Sequence, residues 1–365
     1  MAGRLDGIGR FADETLRLIT SQHPEHQFYF YFDRKPDTCF LYNSNVTAVV
    51  VPPQARHPLL FLAWFEASLP LHFLRSKPDL FLSIDGFLSL TTHVKSVGVI
   101  HDLNFEHFPE DIPFLVRKYY KTMFPRFARK STRIATVSEF SKSDIIDKYH
   151  IDASKIDVVY NGASSIFKPL TEIARQKTRE KFSKGNWYFF FVGTLHPRKN
   201  LVNLFKAFDL FKKSDAQGIQ LLIAGARMWW TDKIRLAYEG MEYREDVIFT
   251  GRVSDQDLAA LMASALALTY VSYFEGFGIP ILEAFQCDTP VITSNITSMP
   301  EIAGNAAILT DPFSINSIAD AMKKIASDAG FRENLIIAGR NQRENFSWEQ
   351  TAEKLWECVD KAIES

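Results

Sequence analysis

Cysteine is scarce and scattered: Cys39, Cys287 and Cys358 are the only three, and no two form a C-x-x-C pair. This excludes a disulfide scaffold and a zinc ribbon, and it predicts a reducing compartment. Long hydrophobic runs are missing too. The longest apolar stretch, residues 58–74, is broken by Glu66, Pro70 and His72, too short and too polar to span a bilayer. Residues 1–7 lack the apolar segment of a signal peptide. A soluble, cytoplasmic protein is the expectation. Nor is there an excess of either charge: 42 basic and 43 acidic residues give a net charge of -1. No global basic field exists to drive nucleic-acid binding, so any affinity for an anionic surface has to come from a local patch. No repeat with a period of about 20–50 residues is visible, which excludes solenoids and propellers.

What is present is an ordinary globular composition, 46% hydrophobic and 23% charged, over 365 residues. That length exceeds what one core usually organises and predicts two domains. Short apolar runs at 27–32, 47–51, 79–83, 97–101, 133–137 and 156–160 alternate with helical patterns such as 11–21 and 141–149. The runs are nearly continuous in Val, Ile, Phe and Tyr, as expected of strands buried on both faces. After a polar stretch at 161–186, containing Gly162 and Pro169, the series restarts at 187–192. It continues at 220–224, 247–250, 266–271, 290–293 and 307–309. This alternation predicts parallel β-α units in an α/β protein. The expected architecture is two doubly wound, Rossmann-like domains, 1–165 and 166–346, facing a cleft. A helix at 347–363, with Trp348, Ala352, Leu355, Trp356 and Val359 on one face, is expected to pack back across the boundary. Ligands of such sheets sit beyond the carboxyl ends of the strands, so strand-end residues carry the functional signal.

The densest signal is Tyr273-Phe274-Glu275-Gly276-Phe277-Gly278-Ile279-Pro280-Ile281-Leu282-Glu283-Ala284, directly after the run at 266–271. Gly276 and Gly278 permit close approach of backbone to a ligand. Pro280 suits the first turn of a helix, whose free N–H groups favour phosphate. Two carboxylates beside a phosphate site make sense if they accept from hydroxyls, which suggests a sugar near Glu275 and a ribose near Glu283. A glycine-rich turn with two surface glutamates is the plainer alternative, and the residues alone leave both open. Upstream, Gly193-Thr194-Leu195-His196-Pro197-Arg198-Lys199-Asn200 follows a strand and opens a helix. Two cations at a helix N-terminus oppose its dipole unless an anion binds there. Arg198 and Lys199 together suit a diphosphate, while a solvated basic turn is the plainer alternative.

Four other features are weaker. His101 sits at a strand end, where a lone histidine is usually structural or a cap, and Asp102 reads as a turn residue. A His101/His107 metal pair lacks further ligands at sensible spacing. Asp255-Gln256-Asp257 follows Ser254 and reads as a capped helix start rather than a metal motif. Arg117, Lys118, Lys121, Arg126, Arg129, Lys130 and Arg133 lie within 117–133, where there is no acid and where Tyr119, Tyr120, Met123, Phe124 and Phe127 interleave. The plain reading is a solvated amphipathic helix broken at Pro125; the sharper one is a patch for an anionic membrane surface.

Glu275 to Glu283 matches the Glu-x7-Glu signature of retaining glycosyltransferases with the two-Rossmann-domain (GT-B) fold. The stretch 272–283, with Pro290-Val291-Ile292-Thr293, Met299-Pro300-Glu301-Ile302-Ala303-Gly304 and Asp311-Pro312, resembles glycosyltransferase family 4 and its bacterial polysaccharide-building, mannosyltransferase-like members. The resemblance implies transfer of a hexose from a nucleotide diphosphate sugar to a glycan or lipid-linked acceptor, with retention and without metal or cofactor. It leans towards GDP-mannose as donor. It makes 1–165 the acceptor side and 166–346 the nucleotide-sugar side. It implies catalytic roles for Glu275, His101, Arg198 and Lys199, and donor contacts from Glu283, Gly7, Gly9, Gly193, Gly276, Phe277, Gly278 and Ile279. Many members carry Gly-Arg where this chain has Gly193-Thr194, so the arginine role passes to Arg198. A lipid-linked acceptor fits a peripheral position on the inner membrane face through 117–133; no nucleic-acid partner is implied.

Gly7-Ile8-Gly9 resembles the glycine-rich loop of the family, which normally follows a strand, yet only six residues precede Gly7. The expectation is a missing piece of the N-terminus, or a first sheet with a gap or a substitute strand. Two rival functions remain: a degenerate sugar-nucleotide-binding protein of the same fold, and a nicotinamide oxidoreductase. Against the second, no Gly-x-Gly-x-x-Gly follows a strand with an acid about 20 residues beyond.

Overall fold

The structure, a computed structural model, describes residues 7–215, 217–226 and 230–365. A strand or its absence within residues 1–6 therefore lies outside the described residues. The chain divides into two compact units, Met1–Asn161 with Trp348–Ser365, and Gly162–Ser347.

The first unit contains β1 (Phe28–Phe32), β2 (Val46–Val50), β3 (Leu80–Ser83), β4 (Lys95–Ile100), β5 (Arg133–Thr136) and β6 (Ile156–Val158). All of their pairings are parallel. Among the described residues they form two sheets, β1-β2 and β3-β4-β5-β6. In β4 the run from Ser96 to Ile100 is buried throughout, as its apolar sequence requires. β1 and β2 are not buried on both faces: Tyr29 is 47% and Val50 50% exposed. A two-stranded sheet here has one packed side, formed by Val51, Trp64, Phe65, Leu69 and Phe73. Phe73 touches both sheets, with ring centroids 5.3 Å from Tyr31 of β1 and 5.2 Å from Phe81 of β3.

The first helix runs Gly7–Gln22, so Gly7-Ile8-Gly9 is a helical turn and not a loop. Burial of Phe11, Thr15, Ile19 and Thr20 along one face explains why helix wins over the local glycine preference. The helix Trp348–Glu364 lies against β3 to β6 and against this first helix, burying Trp348, Ala352, Leu355 and Val359. Trp356 is off that buried face and stacks instead on His23. The basic segment forms one helix, Phe114–Lys130, which continues through Pro125 instead of breaking there. Proline removes one backbone donor, but Met123, Phe124, Phe127 and Ala128 bury on either side of it and hold both halves to the core. The interleaved aromatics thus point largely inward, and Arg133 belongs to β5, paired with Asp157 at 2.7 Å.

The second unit has β7 (Tyr188–Val192), β8 (Gln220–Ala224), β9 (Val247–Gly251), β10 (Ala267–Tyr270), β11 (Val291–Ser294) and β12 (Ala307–Thr310). They form one parallel sheet in the order β12-β11-β10-β7-β8-β9. The chain starts at β7, winds outward to β9, then returns beside β7 and winds the other way. Helices on the faces bury Phe189 and Phe191 of β7 with Leu204, Phe205, Phe208, Ile318 and Met322. The strand order reverses between β7 and β10, and in sheets of this kind the ligand crevice lies at the carboxyl ends of the strands at such a reversal. Among the described residues, no helix is long and apolar enough to cross a membrane.

Candidate active site

The loops that leave β7 and β10 meet at that reversal. After β7 the backbone N–H of Gly193 donates to the carbonyl of Ala224 at 3.0 Å. A Cβ on Gly225 would fall 1.9 Å from the Gly193 carbonyl oxygen, so the loops after β7 and β8 touch backbone to backbone only because residue 225 has no side chain. The His196 ring accepts from the Arg198 N–H at 3.3 Å, fixing the short turn Pro197–Lys199. Asn200 closes this turn in the left-handed region, at φ 61°. Its side-chain amide donates to the carbonyls of Val271 at 2.9 Å and Pro312 at 2.7 Å. The Tyr273 N–H donates to the carbonyl of Arg198 at 3.0 Å. The cationic turn is thereby tied to the loop after β10 along its backbone as well as its side chains.

At the centre is Glu275. Its Oε1 accepts from Lys199 Nζ at 2.6 Å and its Oε2 from Arg198 Nη1 at 2.7 Å. Lys199 Nζ also donates to the Tyr270 hydroxyl at 2.6 Å, and Arg198 Nη1 to the Phe274 carbonyl at 3.1 Å. Glu275 is 6% and Lys199 7% exposed. Burial by itself would raise the Glu275 pKa, but the charges of Arg198 and then Lys199 outweigh it and hold the carboxyl at about 2. Burial, with the Glu275 charge second, pushes the Tyr270 phenol well above its ordinary range. The hydroxyl of Ser298 lies 2.9 Å from the Glu275 carbonyl and 3.0 Å from that of Phe277, pinning the glycine-rich loop from below. Gly278, at φ 102°, then turns the chain into the helix Ile279–Gln286 with Pro280 in its first turn. Glu283 is buried on that helix. Two cations gathered on one carboxylate beside a glycine-rich helix start are the kind of arrangement that suits a multiply charged anion such as a diphosphate.

Glu275, Arg198 and Lys199 are therefore in direct contact. Gly193 stands beside them, since a Cβ there would lie 3.5 Å from Lys199 Cε. Gly276 and Phe277 are buried in the same loop, Phe277 against Phe346 at 5.9 Å. His101, Gly7 and Gly9 belong to the first unit. There His101 Nε2 is 2.9 Å from the Ile84 carbonyl, its ring meets the edge of Phe11 at 4.9 Å, and its own carbonyl accepts from Ser141 Oγ at 3.2 Å. Asp102 accepts from the Asn104 N–H at 2.9 Å, as a turn residue does. His107 pairs with the Asp144 carboxylate at 2.8 Å. Ser254 Oγ accepts from the Asp257 N–H at 3.1 Å, and Asp257 pairs with Lys181 at 2.7 Å, so this Asp-x-Asp is a helix cap.

Reading the sequence missed Tyr270, Ser298, Asn200 and Gly225. Tyr270 looked like one more aromatic of a buried strand, although its position at the carboxyl end of β10 was the available signal. Gly225 follows β8 as Gly193 follows β7, and that parallel is legible in the sequence. Nothing local marks Ser298, which acts from 23 residues beyond Glu275.

The family described as "Glycosyltransferase Family 4" matches residues 5–165, and the one described as "Glycosyl transferases group 1" matches residues 172–342. O-antigen chain mannosyltransferase B of Escherichia coli is 32% identical over 257 residues, 70% of this chain and 67% of that protein. O-antigen chain mannosyltransferase RfbU of Salmonella typhimurium is 30% identical over 241 residues, 66% of this chain and 64% of that protein. The serotype-specific mannosyltransferase WbdA of Escherichia coli is 28% identical over 279 residues, 74% of this chain but 34% of WbdA, so the chain spans about a third of that relative. Among solved structures, a glycosyltransferase from Rickettsia africae superposes with a TM-score of 0.74 at 18% identity, covering 99% of this chain and 97% of that one. Anabaena HepE in complex with UDP and glucose gives 0.74 at 17% identity, with the same coverage of 99% and 97%.

Proposed function

The chain belongs to glycosyltransferase family 4 and has the α/β, GT-B fold, and from that premise we propose that it transfers a hexose from a nucleoside diphosphate sugar to the hydroxyl of a glycan or lipid-linked acceptor. Mannose from GDP-mannose is the leading donor, transfer retains the anomeric configuration, and neither metal nor cofactor takes part. The observation that carries this reading is the buried Glu275 carboxylate held between Arg198 and Lys199 at the β7/β10 crevice.

The chemistry follows from that cluster. A leaving diphosphate develops negative charge on its bridging oxygen, and two cations in a low-dielectric setting stabilise it. Lys199 supplies a point charge and Arg198 a planar fork, which replace a metal as counter-charge. The N–H groups of Phe277, Gly278 and Ile279, at the start of a helix, add dipoles of the right sign. Glu275 then accepts from a hydroxyl of the donor sugar and Glu283 from the ribose. The donor phosphate takes the acceptor proton. The mannosyltransferase names of the relatives support mannose, and the UDP and glucose of the HepE complex make base and sugar the first thing to test. A panel of nucleotide sugars, with nucleotide release and product anomer measured by NMR, decides it. Release from no member of the panel, or an inverted product, refutes the reading; a rate that collapses in chelator and returns with manganese refutes metal independence.

A peripheral place at the inner membrane face belongs to the same reading. Its support is the start of the helix Phe114–Lys130, where Phe114 is 64% and Leu115 73% exposed beside Arg117 and Lys118. A cavity of about 290 Å³ brings Leu62 next to Leu115 and Lys118. Basic and apolar groups together favour anionic lipid interfaces. The protein should sediment with anionic but not neutral liposomes, less so as salt rises; equal sedimentation with both refutes an electrostatic membrane patch.

A further inference from the structure

The turn between the first helix and β1 gathers ligand atoms that the transferase chemistry does not use. Among the described residues, His23, Glu25 and His26 form the one group of three metal-ligating side chains with ligand atoms within 4.8 Å of one another. His23 Nδ1 lies 3.4 Å and His26 Nε2 3.5 Å from the same oxygen, Glu25 Oε1. A tetrahedral site with arms of about 2.1 Å has ligand-to-ligand edges of about 3.4 Å. Two edges of such a site are thus already at length.

The surroundings hold this arrangement in place. Asn45 is buried, and its side-chain amide reaches the carbonyls of Thr20 at 3.0 Å, His23 at 3.2 Å and His26 at 3.3 Å. The His26 N–H closes the turn on the His23 carbonyl at 3.2 Å. The backbone at both histidines is therefore fixed from the inside of the protein. Their rings are fixed from the other side: Trp356 stacks on His23 at 3.9 Å and 20°, and lies 5.0 Å from the His26 ring. An imidazole held by backbone and by a stacked ring loses little freedom on binding, which is the requirement for a preorganised metal ligand.

Beside His23 and Trp356 opens a groove of about 410 Å³, also lined by Glu349, Glu353 and Glu357. These three glutamates recur every four residues on the helix Trp348–Glu364, so they stack along one face. Their charge concentrates cations at the groove, and each offers a further oxygen ligand.

We propose that His23, Glu25 and His26 form a binding site for a divalent transition-metal ion of the zinc class, with the remaining coordination position open to water or to a glutamate of the groove. Two imidazoles and a carboxylate select zinc, cobalt, nickel or copper over magnesium and calcium, which demand oxygen-rich shells. The ion fastens the His23 ring in its stack on Trp356, and so ties the turn after the first helix to the helix Trp348–Glu364. It takes no part in sugar transfer.

The test uses the full chain without a histidine tag, freed of metal by dialysis against chelator. Cobalt is the probe for spectroscopy and zinc for calorimetry and thermal unfolding. The expected result is one equivalent of cobalt with the intense visible absorption of a four-coordinate ion, displaced by zinc, and a raised thermal midpoint with zinc but not with magnesium. His23→Gln, Glu25→Gln and His26→Gln should each weaken binding on the order of tenfold or more. Circular dichroism of the metal-free variants confirms that they fold. Glu353→Gln weakens binding only if the groove supplies the fourth ligand, and its cobalt spectrum then shifts. A cobalt spectrum that stays that of the hydrated ion, or an affinity unchanged by all three ligand substitutions, overturns the proposal.

Discussion

Lys199 Nζ stands 2.6 Å from Glu275 Oε1, with the two side chains 9% and 8% exposed. A pair this buried keeps its charges by mutual attraction, and neither partner is well served without the other. A donor diphosphate arriving at the crevice meets an ammonium that already has a carboxylate. On the proposed function it would bind by sharing or displacing that carboxylate, which would then accept from the sugar. Binding and chemistry are thereby set against each other at one residue.

Glu275→Gln should separate them. Transfer is expected to fall on the order of 10²–10³-fold, the usual loss for one group aimed at the reacting centre. Affinity for the free nucleoside diphosphate should rise, because the competing charge is gone. The variant should also unfold more easily, since one uncompensated buried cation costs about 3–5 kcal/mol, and saturating nucleotide should restore much of that. Initial rates, calorimetry and thermal scans on one preparation read all three. An affinity that drops in step with the rate would show that Glu275 helps to hold the diphosphate instead of competing for it.

Acid should expose the same linkage. The Glu275 carboxyl titrates at about 2, below its ordinary value of 4.5. For a depressed pKa, the contribution to stability is complete above the unfolded value and is lost as pH falls through the folded one. The stability gap between the parent and Glu275→Gln is therefore expected to be constant near neutrality. It should close between about pH 4.5 and pH 2. Denaturant melts at stepped pH measure it, and a gap that persists at pH 2 contradicts the assignment.

Tyr270→Phe removes the second acceptor of Lys199 but keeps the ring under its ammonium, at 4.7 Å from the centroid. A stability loss of about 1–3 kcal/mol is expected from the lost hydrogen bond. The rate should fall about tenfold, roughly 1.4 kcal/mol of barrier, well short of the Glu275 variant. Parallel rate and melting measurements check it; a loss as deep as that of Glu275→Gln would make the hydroxyl itself a catalytic group.

Gly225→Ala tests the contact between loops. Its Cβ would stand 1.9 Å from the Gly193 carbonyl oxygen, a distance that backbone cannot tolerate. The loop that carries Arg198 and Lys199 must move, with a cost of about 1–3 kcal/mol and weaker nucleoside diphosphate binding. Gly330→Ala is the control. That glycine is inside the helix Ala329–Arg343, and a Cβ there meets only Asp328 Oδ1, at 3.6 Å. The control should be neutral or stabilising by about 0.5–1 kcal/mol. Equal effects on nucleotide affinity from both substitutions would dismiss the loop contact.

The second sheet was legible because every one of its strands is apolar on both faces; Tyr188, Phe189, Phe190 and Phe191 announce β7 without help from context. The pairing of loops was legible only through the rule that such strands carry ligands at their carboxyl ends. What could not be read is contact between residues far apart in the chain. In sequence Arg198 and Lys199 read as a turn that awaits an anion, but the anion they meet is the protein's own Glu275, 77 and 76 residues further on. Phe28-Tyr29-Phe30-Tyr31-Phe32 reads as a core strand, yet it leaves a face in solvent, and among the described residues β2 is its one strand neighbour. Pro125 misled for the converse reason: packing on both sides outweighed a local rule.

The helix Trp348–Glu364 covers β3 to β6 of the first unit, although the whole of Gly162–Ser347 precedes it in the chain. On a ribosome, which releases the chain in order, the second unit emerges and can close its sheet while the first still waits for its cover. Val97, Val99 and their neighbours face water or a chaperone for the time taken to make 186 more residues, Gly162 to Ser347. A chain cut before Trp348 would carry a complete sheet in the second unit and an unfinished first unit. Proteolytic nicking, misassembly and loss of solubility should therefore begin in the half that is synthesised first.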